Sequence, residues 1–80
     1  MLLWVLQRDA KVITCQLVAR DDRSYEICVV PHWNPSSAVI ERFESAALAV
    51  LRHAALARRL RDNGWIVIDH VVPRRLQAAA

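Results

Sequence analysis

The stretch NPSSAVIERFESAALAVLRHAALARRLRDNGW, residues 34–65, decides how this chain is read. Both of its ends carry helix signals. Asn34 can accept a bond from a free backbone N–H, and Pro35 loses no helical bond at a first helical position while holding Asn34 extended. Ser36 and Ser37 are alternative caps. At the far end, Gly64 can take the left-handed conformation of a helix exit, and Trp65 can close back on Leu60 in a Schellman contact. The spacing predicts one long helix over residues 35–62. Val39, Ile40, Phe43, Ala46, Ala47, Val50, Leu51, Ala54 and Ala57 fall on one broad face, with Glu41, Glu44, Arg52, Arg59 and Asp62 roughly opposite. Ala49, Leu56 and Leu60 form a smaller stripe beside His53. At 1.5 Å per residue such a helix is roughly 40 Å long. It would overhang strands of about 20–27 Å at its C-terminal end.

Outward from this helix the chain reads as strands. Residues 2–7 form the first and 12–19 the second, joined by a tight polar turn at Arg8-Asp9-Ala10-Lys11. A second turn, 20–24, leads to a third strand over 25–30. The last strand is 65–72, ended by Pro73, and residues 74–80 are expected to be a flexible tail on a single domain of 1–73. Register follows from pattern, because a one-residue slip swaps the faces. A two-residue loop at Asp9-Ala10 sets Trp4 against Cys15 and Leu6 against Ile13. A turn centred on Asp22 sets Leu17 against Ile27 and Cys15 against Val29. Leu2, Trp4, Leu6, Ile13, Cys15, Leu17, Tyr25, Ile27 and Val29 then share one apolar face, assigned to the helix. Cys15 and Cys28 point to opposite faces and cannot bond to each other.

The expected architecture is α+β: β-β-β-α-β, a four-stranded mixed sheet with one long helix on one face. Strand order 4-1-2-3 is favoured, with the last strand parallel to the first through a right-handed crossover. One helix covers one face only. The other face receives Leu3, Val5, Val12, Thr14, Gln16, Val18, Glu26, Cys28 and Val30. It also receives Trp65, Val67, Asp69 and Val71 if Ile66 and Ile68 face the helix. A solvated face needs fewer aliphatic groups than this, so the surface reads as a protein interface centred on Leu3, Val5, Val12, Val18, Val30, Trp65 and Val67. The ordinary alternative is that valines are simply good strand formers. A homodimer, or another protein on this face, is the expected assembly, because eighty residues make a marginal core.

Charge suggests a second reading. The chain carries +3 overall, but residues 1–51 hold five basic and six acidic groups while 52–80 hold six basic and two acidic. Arg52, Arg58, Arg59, Arg61, Arg74 and Arg75 can meet the phosphates of a nucleic acid. As the ordinary alternative, cations complement and solvate a helix C-terminus. No nucleic-acid motif accompanies them.

Catalytic and metal signals are weak. Cys15, Cys28, His32, His53 and His70 stand at no ligand spacing, so no metal or other cofactor is expected. Cys28 with His32 lacks an orienting acid and an oxyanion hole, and a single glycine excludes a Gly-rich phosphate loop. Asp69 and His70 are adjacent on a strand and point to opposite faces. An enzyme is not expected. No apolar run approaches a membrane span, and Met1–Leu6 lacks the length and charge of a signal peptide, so a cytoplasmic location is expected.

Glu41-Arg42-Phe43-Glu44, Arg52-His53-Ala54, Leu60-Arg61-Asp62-Asn63-Gly64-Trp65 and Val67-Ile68-Asp69-His70 carry a resemblance. In its second half the chain resembles short uncharacterised proteins of Gram-negative bacteria. That group has no assigned activity, so the resemblance implies a bacterial, cytosolic origin and no site residues.

Overall fold

The two N-terminal hairpins form as the alternation requires. In a computed structural model that describes residues 1–71, β1 (Leu2–Arg8) pairs antiparallel with β2 (Lys11–Ala19), with Trp4 against Cys15 and Leu6 against Ile13. β2 pairs antiparallel with β3 (Tyr25–Pro31), with Leu17 against Ile27 and Cys15 against Val29. Asp9 and Arg23 take positive φ, 55° and 66°, in the two turns. In the second turn Asp22 accepts bonds from the Ser24 backbone N–H and hydroxyl. Those two bonds, with Arg42 nearby, hold the Asp22 carboxyl below its ordinary pKa of 3.8.

The long helix expected from residue 35 divides into three elements. Residues Pro35–Ser37 make a single 3-10 turn, in which the Ser37 N–H donates to the Asn34 carbonyl at 3.0 Å. The Asn34 side chain makes no cap bond and instead accepts from the Ser36 hydroxyl at 2.7 Å. The chain then extends as β4 (Val39–Phe43), paired antiparallel with β3. Val39 and Ile40 are β-branched, and their stiff side chains favour the pleat over a helical turn. The helix α1 is Ala46–Asp62, seventeen residues, capped by Ser45, whose Oγ accepts from the Leu48 N–H at 3.3 Å. It is about 25 Å long, matches its strands, and has no overhang.

The exit forms as expected. Gly64 sits at φ 90°, its N–H donates to the Arg61 carbonyl at 3.1 Å, and the Trp65 N–H donates to the Leu60 carbonyl at 3.0 Å. These are the two bonds of a Schellman motif.

Because β4 reverses the chain once more, β5 (Ile66–Val71) runs antiparallel to β1 rather than parallel to it. The sheet has five strands in the order β4-β3-β2-β1-β5, replacing the expected mixed four-stranded order 4-1-2-3. The last strand does lie beside the first, and β4 extends the opposite edge. Pro73 and the tail expected at 74–80 lie outside the described residues.

The helix presents a different face from the one its apolar count suggests. Ala49, His53 and Ala57 are buried against the sheet, with Leu56 and Leu60 packed beside them. Leu48, Val50 and Leu51 are exposed. Small residues at 49 and 57 let the helix approach closely, and His53 finds two partners in the core. The core itself comprises Leu6, Ile13, Cys15, Leu17, Ile27 and Trp65. Leu6 and Ile27 are fully buried, each worth about 1.5–3 kcal/mol of transfer free energy.

Candidate protein interface

The face of the sheet turned away from α1 has no cover among the described residues. Register defines it. One row runs across all five strands: Ile40, Cys28, Gln16, Leu3 and Val71 stand opposite one another in turn. The next row is Val30, Thr14, Val5 and Asp69. Val12, Gln7 and Ile66 make a third towards one end, and Val18, Glu26 and Arg42 a fourth towards the other. Ile40 is 63 % and Ile66 68 % exposed, and Ile68 is also exposed. Isolated apolar residues on a surface need no explanation, but aliphatic groups recurring on every strand of one sheet face (Ile40, Val30, Val12, Leu3, Val5, Ile66 and Val71) do.

Polar groups frame this surface. Arg42 Nη2 lies 2.7 Å from Asp22 Oδ2, and Arg20 Nε lies 3.6 Å from Glu26 Oε1, so most charges at that end have partners. At the other end Thr14 Oγ1 and His32 Nε2 are 2.6 Å apart. The centre is mixed, with Gln16 and Thr14 on the middle strand among aliphatic neighbours, and the charges at the rim are paired.

Of the residues expected here, Leu3, Val5, Val12, Val18 and Val30 occupy the open face by register. Trp65 and Val67 do not. Trp65 is buried and Val67 packs with Leu6 and Ile13 on the helix side. Ile66 and Ile68 replace them on the open face. The cause is an irregularity opposite Val5 and Leu6: Leu6 pairs with Val67 but Val5 pairs with Asp69, which leaves Ile68 as an extra residue. Such a bulge lets Ile66, Ile68, Asp69 and Val71 share one side. Ile40, expected on the helix, lies on β4 opposite Cys28 and joins the open face. The β-branched pair Val39-Ile40 was the available signal for it, since the five residues do not alternate.

The arginine cluster is only partly assembled. Arg52 is engaged by Glu41, with Nε 3.0 Å from Oε1 and Nη2 3.2 Å from Oε2. Arg58, Arg59 and Arg61 are exposed at the C-terminal end of α1, and Arg74 and Arg75 lie outside the described residues. The candidate ligands for chemistry are dispersed. Cys15 and His53 are buried on the helix side, and Cys28 and His32 share the open face with Val30 between them, about 13 Å along the strand. Among the described residues no group of three or more His, Cys, Asp or Glu is placed to hold a metal ion, and no helix is long and apolar enough to cross a membrane. Burial, with a smaller contribution from Glu41, pushes the Cys15 thiol up to about 11, which makes it unreactive at neutral pH.

No family model matches the chain, and no curated protein or solved structure matches it.

Proposed function

We propose that this protein is a non-enzymatic interaction module that pairs with a second copy of itself through the open face of its sheet, in the cytoplasm. The observation that carries the reading is the row Ile40–Cys28–Gln16–Leu3–Val71, aliphatic at three positions of the five-strand width with a cysteine at a fourth, and uncovered among the described residues. Extents of 35 × 30 × 18 Å describe two layers, one sheet and one helix. A sheet face of that span has room for the roughly 800 Å2 per partner that stable interfaces bury. A second sheet stacked on it at about 10 Å would complete a four-layer α-β-β-α sandwich. Self-pairing fits this surface because its charges are largely paired within one chain, so a two-fold copy meets no block of like charge. It also supplies the core that so short a chain lacks.

The direct test is Val5→Lys and, separately, Ile68→Lys. Both side chains lie on the open face, so each variant should keep the far-UV circular dichroism of the parent and sediment as a monomer. Variants that fold and remain dimeric would refute the assignment of the interface to this face.

A further inference from the structure

At one end of the sheet three segments meet: the Asp9-Ala10 turn, the loop after β3 that holds His32 and Trp33, and the C-terminus of α1. Trp33 and Trp65 stack there, with centroids 6.2 Å apart and planes 20° from parallel. The Arg8 guanidinium lies 5.1 Å from the Trp65 centroid, and Lys11 Nζ lies 5.1 Å from the Trp33 centroid. Arg8 Nη1 also donates to the Asn63 carbonyl at 3.0 Å, tying the first strand to the helix end. Trp65 is 7 % exposed and Trp33 51 %. One ring is anchored and the other is presented. Arg58, Arg59 and Arg61 are exposed on the last turns of the same helix, so cations at this end outnumber Asp9 and Asp62.

We propose that this end binds single-stranded nucleic acid, with a base stacked on Trp33 and the backbone phosphates met by Lys11 and the arginines of the helix end. Trp33 is already held from one side by Trp65, so little ordering is needed to present it. The exposed Lys11 ammonium interacts with the indole more weakly than a base stacked on it does. A base therefore displaces the ammonium, which then stands beside the flanking phosphate. A duplex hides its base faces, so a stacking platform selects single strands. An acidic peptide would engage the cations but leave the indole unused. The site rests on groups other than the open sheet face, so it stands whether or not the chain pairs with itself.

The test is binding of the full chain to a fluorescein-labelled oligothymidylate of about 12 nucleotides, read by anisotropy and by quenching of indole fluorescence. The expected result is saturable binding that weakens linearly on a log–log salt plot, with the matched duplex bound less tightly. Trp33→Ala should lower affinity about tenfold or more, and Trp33→Phe should restore most of it. Should Trp33→Ala fail to fold, Lys11→Glu removes no buried surface and should weaken binding clearly. Absence of binding, unchanged affinity in the folded variant tested, equal affinity for duplex, or equal competition by polyglutamate would each overturn the proposal.

Discussion

Trp4 donates its indole N–H to Nδ1 of His53 across 49 residues of sequence, at 3.1 Å. The other ring nitrogen, Nε2, lies 2.9 Å from the Cys15 carbonyl oxygen. An indole N–H can only donate and a carbonyl can only accept, so both partners require a neutral ring protonated at Nε2. The bond joins β1 to the fully buried centre of α1. Replacing His53 by Ala removes the partner of the half-buried Trp4 donor and the second partner of the Cys15 carbonyl, which lies opposite Trp4 in the sheet ladder. The expected loss is about 1–3 kcal/mol, the cost of leaving one such donor unsatisfied. Urea unfolding should show a lower midpoint at an unchanged slope.

The same residue predicts how stability depends on pH. Burial lowers the His53 pKa below its ordinary 6.5, opposed weakly by the bond to Cys15. A lowered folded-state pKa means the unfolded chain binds the proton first. The stabilisation is therefore complete above pH 6.5 and declines as pH falls below that value, by at most about 1.4 kcal/mol per pH unit. Asp22 acts in a separate window, losing its contribution only as pH falls below 3.8. Urea midpoints between about pH 7.5 and 5 should fall in the parent, and that slope should flatten in His53→Gln. A midpoint independent of pH in the parent would contradict the neutral, buried ring.

The two thiols should behave differently. Cys15 is buried and its thiol is pushed up to about 11, whereas Cys28 is half-buried on the open face. A maleimide reagent at neutral pH should label Cys28 alone in the native protein and both after denaturation. If the open face pairs with a second copy, labelling of Cys28 should slow as protein concentration rises. Mass spectrometry of the labelled chain reads both effects.

Gly64 tests the helix exit. An added Cβ would meet Arg8 Cδ at 3.5 Å, an ordinary contact, so the cost comes from φ 90° and not from collision. Gly64→Ala should therefore destabilise the fold by roughly 1–2 kcal/mol without changing it. Thermal unfolding followed by circular dichroism is sufficient to measure this.

The parts of the fold visible in the sequence were those set by local alternation. Both hairpin registers follow from the positions of Asp9 and Asp22 between alternating strands, and Gly64-Trp65 marks the helix exit unambiguously. The entry was obscured because Asn34-Pro35 can open a single 3-10 turn, with Pro35 at its start, as well as a long helix. Five residues, Val39–Phe43, are too few for periodicity to separate strand from helix. Of the expected helix face Ala57 is buried but Val50 and Leu51 point outward, because a histidine and two alanines, His53, Ala49 and Ala57, face the sheet. No sequence pattern shows that His53 has Trp4 and Cys15 waiting for it. The extra residue Ile68 likewise exchanged Val67 for two isoleucines at the candidate interface, because pairing decides a bulge and composition does not.

The measurement that bears most directly on the proposed self-association is the solution mass, by light scattering across a concentration series at low and high salt. An apolar sheet face pairing with its copy predicts a dimer whose mass persists at high salt, and a monomer for Val5→Lys under the same conditions. A parent protein that remains monomeric at every concentration would contradict the account.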